Sequence, residues 1–156
     1  MQRFRYIDKI PQELMDEIQE ELEKAWELAS ISVIDTPAQA VRKIHDYVEL
    51  YLQEDEQDRN KILDTAITLA CAWADAVIKE HGWHWMYLGD TLENADVYLV
   101  SPKENYCCPP LYFVNKIMQG KNIGLDGYND NTIILLFNML KDLDDKTPEQ
   151  QYTVVS

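Results

Sequence analysis

The stretch Leu63-Asp-Thr-Ala-Ile-Thr-Leu-Ala-Cys-Ala-Trp-Ala-Asp-Ala-Val-Ile-Lys-Glu-His-Gly-Trp-His-Trp-Met-Tyr-Leu88 changes its hydrophobic pattern partway along. Up to His81, the residues Leu63, Ala66, Ile67, Ala70, Ala74, Val77 and Ile78 recur at helical spacing and form a wide apolar stripe. Small residues at Ala66, Ala70, Ala72, Ala74 and Ala76 allow close packing, so this segment reads as the central helix, from about Asp58 or Asn60 to His81. Gly82 is a candidate for the position just past the helix end, where a left-handed backbone costs glycine least. Beyond it, Trp83 to Leu88 is aromatic and unbroken by a turn residue, which reads as a strand. A helix, a glycine stop and a strand in succession place the chain in the α+β class.

Reading outward, Asp96 to Ser101 forms a second strand signal, joined to the first by the hairpin-like link Gly89 to Ala95 and ended by Pro102. Asn105 to Cys108 gives a short third strand, stopped by Pro109-Pro110. A helix from Leu111 to Met118 follows, closed by Gly120. A loop then leads to a last helix from about Asp130 to Asp144, with Asp130 or Asn131 as its N-cap. On the other side, a first helix starts near Pro11 and faces the core with Leu14, Ile18, Leu22, Ala25, Trp26 and Ala29. The second opens with Thr36, Pro37 and Gln39, a capping box with proline in the first turn, and buries Val41, Ile44, Val48 and Tyr51 or Leu52. The expectation is a single α+β domain over residues 1–146. It has three N-terminal helices, a small two- to three-stranded antiparallel sheet and two C-terminal helices, with residues 147–156 as a flexible polar tail.

The chain has 156 residues, 14 Lys and Arg against 28 Asp and Glu, and a formal net charge of −14. Phosphate contacts need a basic surface, so a free-standing nucleic-acid-binding domain is not expected. No run approaches the ~18 apolar residues of a membrane span, and the N-terminus lacks the apolar core of a signal peptide. The three cysteines are odd in number, and Cys107 and Cys108 are adjacent, which fits a reduced compartment. A cytoplasmic protein is expected.

The charge is densest on the first helix, where Glu13, Asp16, Glu17, Glu20, Glu21, Glu23 and Glu27 face Lys24 alone. Like charges one turn apart, such as Glu13/Glu17 and Glu17/Glu21, each cost about 0.2–0.5 kcal/mol. A basic protein partner would relieve this repulsion. In the first strand, Trp83, Trp85 and Tyr87 share one face, and His84, Met86 and Leu88 the other. The partner-binding candidates are therefore Glu13, Asp16, Glu17, Glu20, Glu21, Trp83 and Trp85.

Chemistry-bearing patterns are sparse. His81 and His84 flank the helix stop, and their spacing with the adjacent Cys107 and Cys108 does not match a zinc site. Leu125 to Asn131 is acidic and glycine-bearing but lacks the residue order of a calcium loop, and reads as a surface loop. No phosphate-binding loop or nucleophile motif is present. No catalytic residue, metal or cofactor is assigned. Asp75 sits beside the apolar stripe and needs a partner, with Lys116, Lys103 or Tyr106 available to tie helix to sheet. The rival reading makes Asp75, Trp85, Tyr106 and Lys116 the lining of a small-molecule or enzymatic pocket.

The segment Ala70 to Trp85, continued by Leu99-Val-Ser-Pro102, Tyr106, Pro110, Val114, Lys116 and Asn131-Thr-Ile-Ile-Leu-Leu-Phe137, resembles bacterial domains of unknown function. In these, a helix ending in Gly-Trp leads to two or three strands and then to a proline-started helix. The resemblance covers about residues 60–140. In style the chain is similar to the small acidic immunity proteins of polymorphic toxin systems. That resemblance implies a non-enzymatic, cytoplasmic interaction protein of immunity type with a basic protein partner, without nucleic acid, membrane or cofactor, and it carries over no catalytic residues. A homodimer or larger homo-oligomer that buries the aromatic sheet face is the third expectation.

Overall fold

The start signals at Pro11 and at Thr36-Pro37 are where the first two helices begin. The computed structural model describes residues 4, 6–54, 59–145 and 152–156. Within them a short strand β1 (Tyr6–Asp8) precedes three helices, α1 (Gln12–Leu28), α2 (Pro37–Leu52) and α3 (Arg59–His81). The capping box of α2 is closed in both directions. Thr36 Oγ1 accepts from the Gln39 N–H at 3.2 Å, and Gln39 Oε1 accepts from the Thr36 N–H at 2.9 Å. Such a cap is worth about 1 kcal/mol.

Helix α3 is central. It packs against α1, α2 and the later helix α4 (Pro110–Met118), and its alanines Ala66, Ala70, Ala72, Ala74 and Ala76 are all buried. A helix apolar on most of its circumference belongs inside a fold. Trp73 is fully enclosed; its ring lies 5.1 Å from that of Phe113, and its Nε1–H donates to the Ile133 carbonyl at 3.1 Å. Gly82 takes φ +74°, as its place past the end of α3 requires.

The sheet is larger than the sequence suggests. Strands β2 (His84–Gly89), β3 (Asp96–Val100), β4 (Tyr106–Cys108) and β5 (Thr153–Val154) join β1 in the order β1-β2-β3-β4-β5. All neighbours are antiparallel except β4 and β5, which run parallel, so the sheet is mixed and five-stranded. β1 and β5 are too short to show a period of their own. Long-range pairing defines them, which is why the expected two- to three-stranded antiparallel sheet has to be corrected. Among the described residues the first and the last elements are strands, β1 and β5.

The same correction reaches the tail. Residues 146–151 lie outside the described residues, but Tyr152 is 1% exposed and the Val155 N–H donates to the Cys107 carbonyl at 2.9 Å. Trp85 and Leu99 stand side by side on the helix-facing side of the sheet. Met86, Leu88, Val100 and Cys107 form a second cluster on the far side, closed by Phe4 and Tyr152.

The last helix, α5 (Ile133–Met139), is shorter than expected and tightens into a single 3-10 turn at Leu140–Asp142. Neither Asp130 nor Asn131 caps it. Asn131 instead reaches α2, its Nδ2–H donating to the His45 carbonyl at 3.2 Å and to Glu49 Oε1 at 3.1 Å. Past the 3-10 turn, the Asp145 carboxylate holds the β3–β4 connection. It accepts from Ser101 Oγ (2.9 Å), the Lys103 N–H (2.7 Å), and the Asn105 N–H and Nδ2–H (3.4 and 3.0 Å).

Candidate functional site

An apolar groove of about 600 Å³ opens between α1, α3, the sheet and the start of α4. Its volume falls in the range of ~300–1,000 Å³ usual for binding sites. The prolines create it. Neither Pro109 nor Pro110 has an N–H to continue the ladder, so β4 stops at Cys108 and the chain turns into α4. β3 runs on past it, and Asp96, Val97 and Tyr98 line the groove opposite Leu14 and Ile18 of α1. Ile67, Ala70 and Cys71 of α3 form the floor together with Trp85. Leu111, Tyr112 and Val154 stand at the rim, 41%, 60% and 42% exposed. Large apolar side chains clustered on a surface in this way mark interaction sites.

The acidic helix forms one wall. Glu13, Asp16, Glu17 and Glu20 are exposed on α1. Glu21 is half-buried, and accepts from Thr68 Oγ1 at 2.6 Å and from Lys24 Nζ at 2.9 Å. Burial works to raise its carboxyl, but the Thr68 hydroxyl and the Lys24 ammonium outweigh it and hold Glu21 below its ordinary value. The two tryptophans part company. Trp85 lines the groove, whereas Trp83 is 3% exposed and belongs to the main core, so as a partner-facing residue it is corrected to a packing residue.

The expected pocket of Asp75, Trp85, Tyr106 and Lys116 does not come together. Asp75 borders a separate cavity of about 100 Å³ between α3 and the α1–α2 connection, and its carboxylate pairs with Lys79 at 2.8 Å, one turn further along α3. A lysine on the same helix face lies within reach without any long-range arrangement. The helix-to-sheet tie expected of Asp75 is therefore corrected to a pair within α3. Tyr106 packs against the main core. Lys116 stands 5.9 Å from the ring centre of Tyr112, at the groove margin.

All three cysteines are free and buried. Burial pushes the Cys71 thiol up to about 12, with the nearby Glu21 charge adding to it, and burial pushes Cys107 to about 12 and Cys108 up as well. They are thiols at neutral pH, and Cys71 serves the groove as apolar wall. His81 Nε2 lies 2.9 Å from the Phe137 carbonyl, and His84 lies 3.6 Å from Glu104. Among the described residues no group of three or more His, Cys, Asp or Glu is placed to hold a metal ion. No helix among them is long and apolar enough to cross a membrane.

The residues that sequence reading passed over are Leu111, Tyr112, Val97 and Tyr98. Their signal was the proline pair, which cuts β4 to three residues beside a β3 of five. Compared with known proteins, the chain matches no family model, no curated protein and no solved structure.

Proposed function

We propose that this chain is a protein-interaction domain of immunity type, a bacterial and cytoplasmic protein that binds a basic protein partner through α1 and the groove beside it. The observation that carries this reading is the juxtaposition of an apolar groove, rimmed by exposed Leu111, Tyr112 and Val154, with a helix bearing seven acids and one lysine. Aromatic and aliphatic anchors in such a groove supply binding energy, and the acidic wall steers and orients a cationic partner.

The test is direct binding to the purified products of the neighbouring genes, by calorimetry at low and high salt. Binding of a basic product is expected, weakened by salt and by the charge reversals Glu13→Lys and Glu17→Lys. The reading is lost if no neighbouring product binds and charge reversal on α1 leaves cells unaffected.

A further inference from the structure

β4 is shorter than the strand it pairs with, and the shortfall faces the groove. Leu99 and Val100 register with Cys108 and Cys107, and the Ser101 N–H donates to the Tyr106 carbonyl at 2.9 Å. In an antiparallel ladder the N–H and C=O of one residue point to the same side, and the side alternates along the strand. Ser101, Leu99 and hence Val97 address β4, while Asp96, Tyr98 and Val100 address β2. Continuing the β3–β4 register sets Pro110 opposite Val97. Pro110 has no N–H and already begins α4. Among the described residues, then, Val97 meets no strand partner on its groove side. An unpaired strand edge is a template for a further strand.

The surroundings specify what kind of strand. The groove walls are aliphatic and aromatic, so they suit alternate apolar side chains of an extended segment. The charges around them are mostly negative: Asp96 is exposed at the edge itself, Glu17 is exposed beside Ile18, and Glu21 lies near enough to Cys71 to act on its thiol. Lys24 is paired to Glu21, and Lys116 lies over the Tyr112 ring.

We propose that the Val97 edge and its groove take an extended segment of a protein partner in which basic and apolar residues alternate. The apolar side chains enter the groove beside α1, the basic ones alternate to the other face of the sheet, where Asp96 stands, and the segment exchanges backbone hydrogen bonds with Val97. This rests on the basic-partner reading above and adds to it the place and the mode of recognition.

The probe is a short synthetic peptide alternating Lys and Val, titrated by fluorescence anisotropy, with amide exchange of the isotope-labelled protein followed by NMR. In the free protein the Val97 amide exchanges faster than that of Tyr98, and the bound peptide protects it by about tenfold or more. N-methylation of the central peptide amides weakens binding by about tenfold, the loss of one net hydrogen bond. Val97→Pro does the same, since proline is tolerated where the N–H faces away from the ladder. The rim variant Leu111→Asp weakens binding independently of the backbone, and circular dichroism checks the fold of both.

Salt-dependent binding that is indifferent to N-methylation and leaves Val97 unprotected overturns the strand pairing and spares the basic-partner reading. A Glu-Val peptide that binds as well as the Lys-Val peptide overturns both. Absence of binding overturns the proposal, as does a Val97 amide already protected in a protein that sediments as a dimer, which would assign the edge to a second copy.

Discussion

Replacing Asp145 by alanine is expected to destabilise the protein by about 2–3 kcal/mol, and the magnitude follows from one hydroxyl. Asp145 accepts four hydrogen bonds, and they differ in what replaces them. The Lys103 N–H is exposed, so water takes over there at little cost. Ser101 is 1% exposed. Its Oγ already accepts from the Asn105 and Tyr106 N–H groups at 3.1 and 3.0 Å, and its own proton goes to Asp145. Without Asp145 that hydroxyl keeps its acceptor roles and loses its acceptor, a buried unmet donor costing about 1–3 kcal/mol. The half-buried Asn105 amide adds a smaller loss.

For a chain of this length each kcal/mol moves the melting temperature by about 2–4 °C, so a fall of roughly 5–10 °C is expected in calorimetry, with a matching shift of the urea midpoint. Asp145→Asn separates the causes. Its amide oxygen still accepts from Ser101, so it should cost about 1 kcal/mol less than alanine. A cycle with Ser101→Ala should return a coupling of about 1 kcal/mol. An alanine variant within about 0.5 kcal/mol of the parent, or alanine and asparagine variants of equal stability, would refute the reasoning.

Three further perturbations follow from the same structure. Glu17→Lys turns the repulsive pairs Glu13/Glu17 and Glu17/Glu21 into attractive ones, so the protein should gain roughly 1 kcal/mol in urea unfolding while losing affinity for a basic partner; a loss of stability would count against the acidic-face argument. Trp73→Phe keeps a ring against Phe113 but removes the indole N–H donated to the Ile133 carbonyl and leaves the space of the second ring unfilled, and should cost about 1–3 kcal/mol, read as a lower urea midpoint. Alkali should unfold the protein. Burial pushes Tyr152 and Cys107 to about 12, so both groups favour their neutral forms in the folded state. The stability they confer is complete below their unfolded values and is lost as pH rises from about 9 to 12. Burial also raises Tyr47 and Tyr98, so phenolate absorbance should show a late-titrating fraction whose last part is absent in Tyr152→Phe.

What the sequence makes legible is what a local pattern encodes. The alanine-rich stripe ending at Gly82, the aromatic run after it and the Thr36–Gln39 box each act within a turn or two, and α3, β2 and α2 lie where those signals put them. β1 and β5 owe their existence to pairing with β2 and β4 far along the chain, and no local periodicity in three or two residues can announce that. The site divides the same way. Lys79, one turn from Asp75 on the same helix face, was a local signal passed over for the distant Lys116, Lys103 and Tyr106, and it took the place. The groove was encoded all along in Pro109-Pro110. Its meaning depended on the length of β3, since a proline pair after a strand marks an open edge only when the partner strand runs on beyond it.

That geometry also narrows where a partner can bind. The aromatic strand invites pairing of two copies face to face, yet one side of β2 and β3 carries Trp85 and Leu99 against the helical core, and the other carries Met86, Leu88 and Val100 beneath Phe4 and Tyr152. Phe4 rings against Tyr98 and Tyr152 at 5.7 and 5.6 Å, so the two ends of the chain close this second face together. With both faces covered, contact through the sheet has to be made at its margins. Of these, the stretch of β3 beyond Cys108 combines an unpaired backbone position with an apolar groove and an acidic wall. Gly89 sharpens the point from the far end of the hairpin. A Cβ there would come within 2.6 Å of the Ala95 Cα, so the β2–β3 link closes tightly and holds Asp96 to Tyr98 in register with β2. An edge held rigid on one side and open on the other presents a pre-set strand, and a segment docking on it orders its own backbone without having to order that of its host.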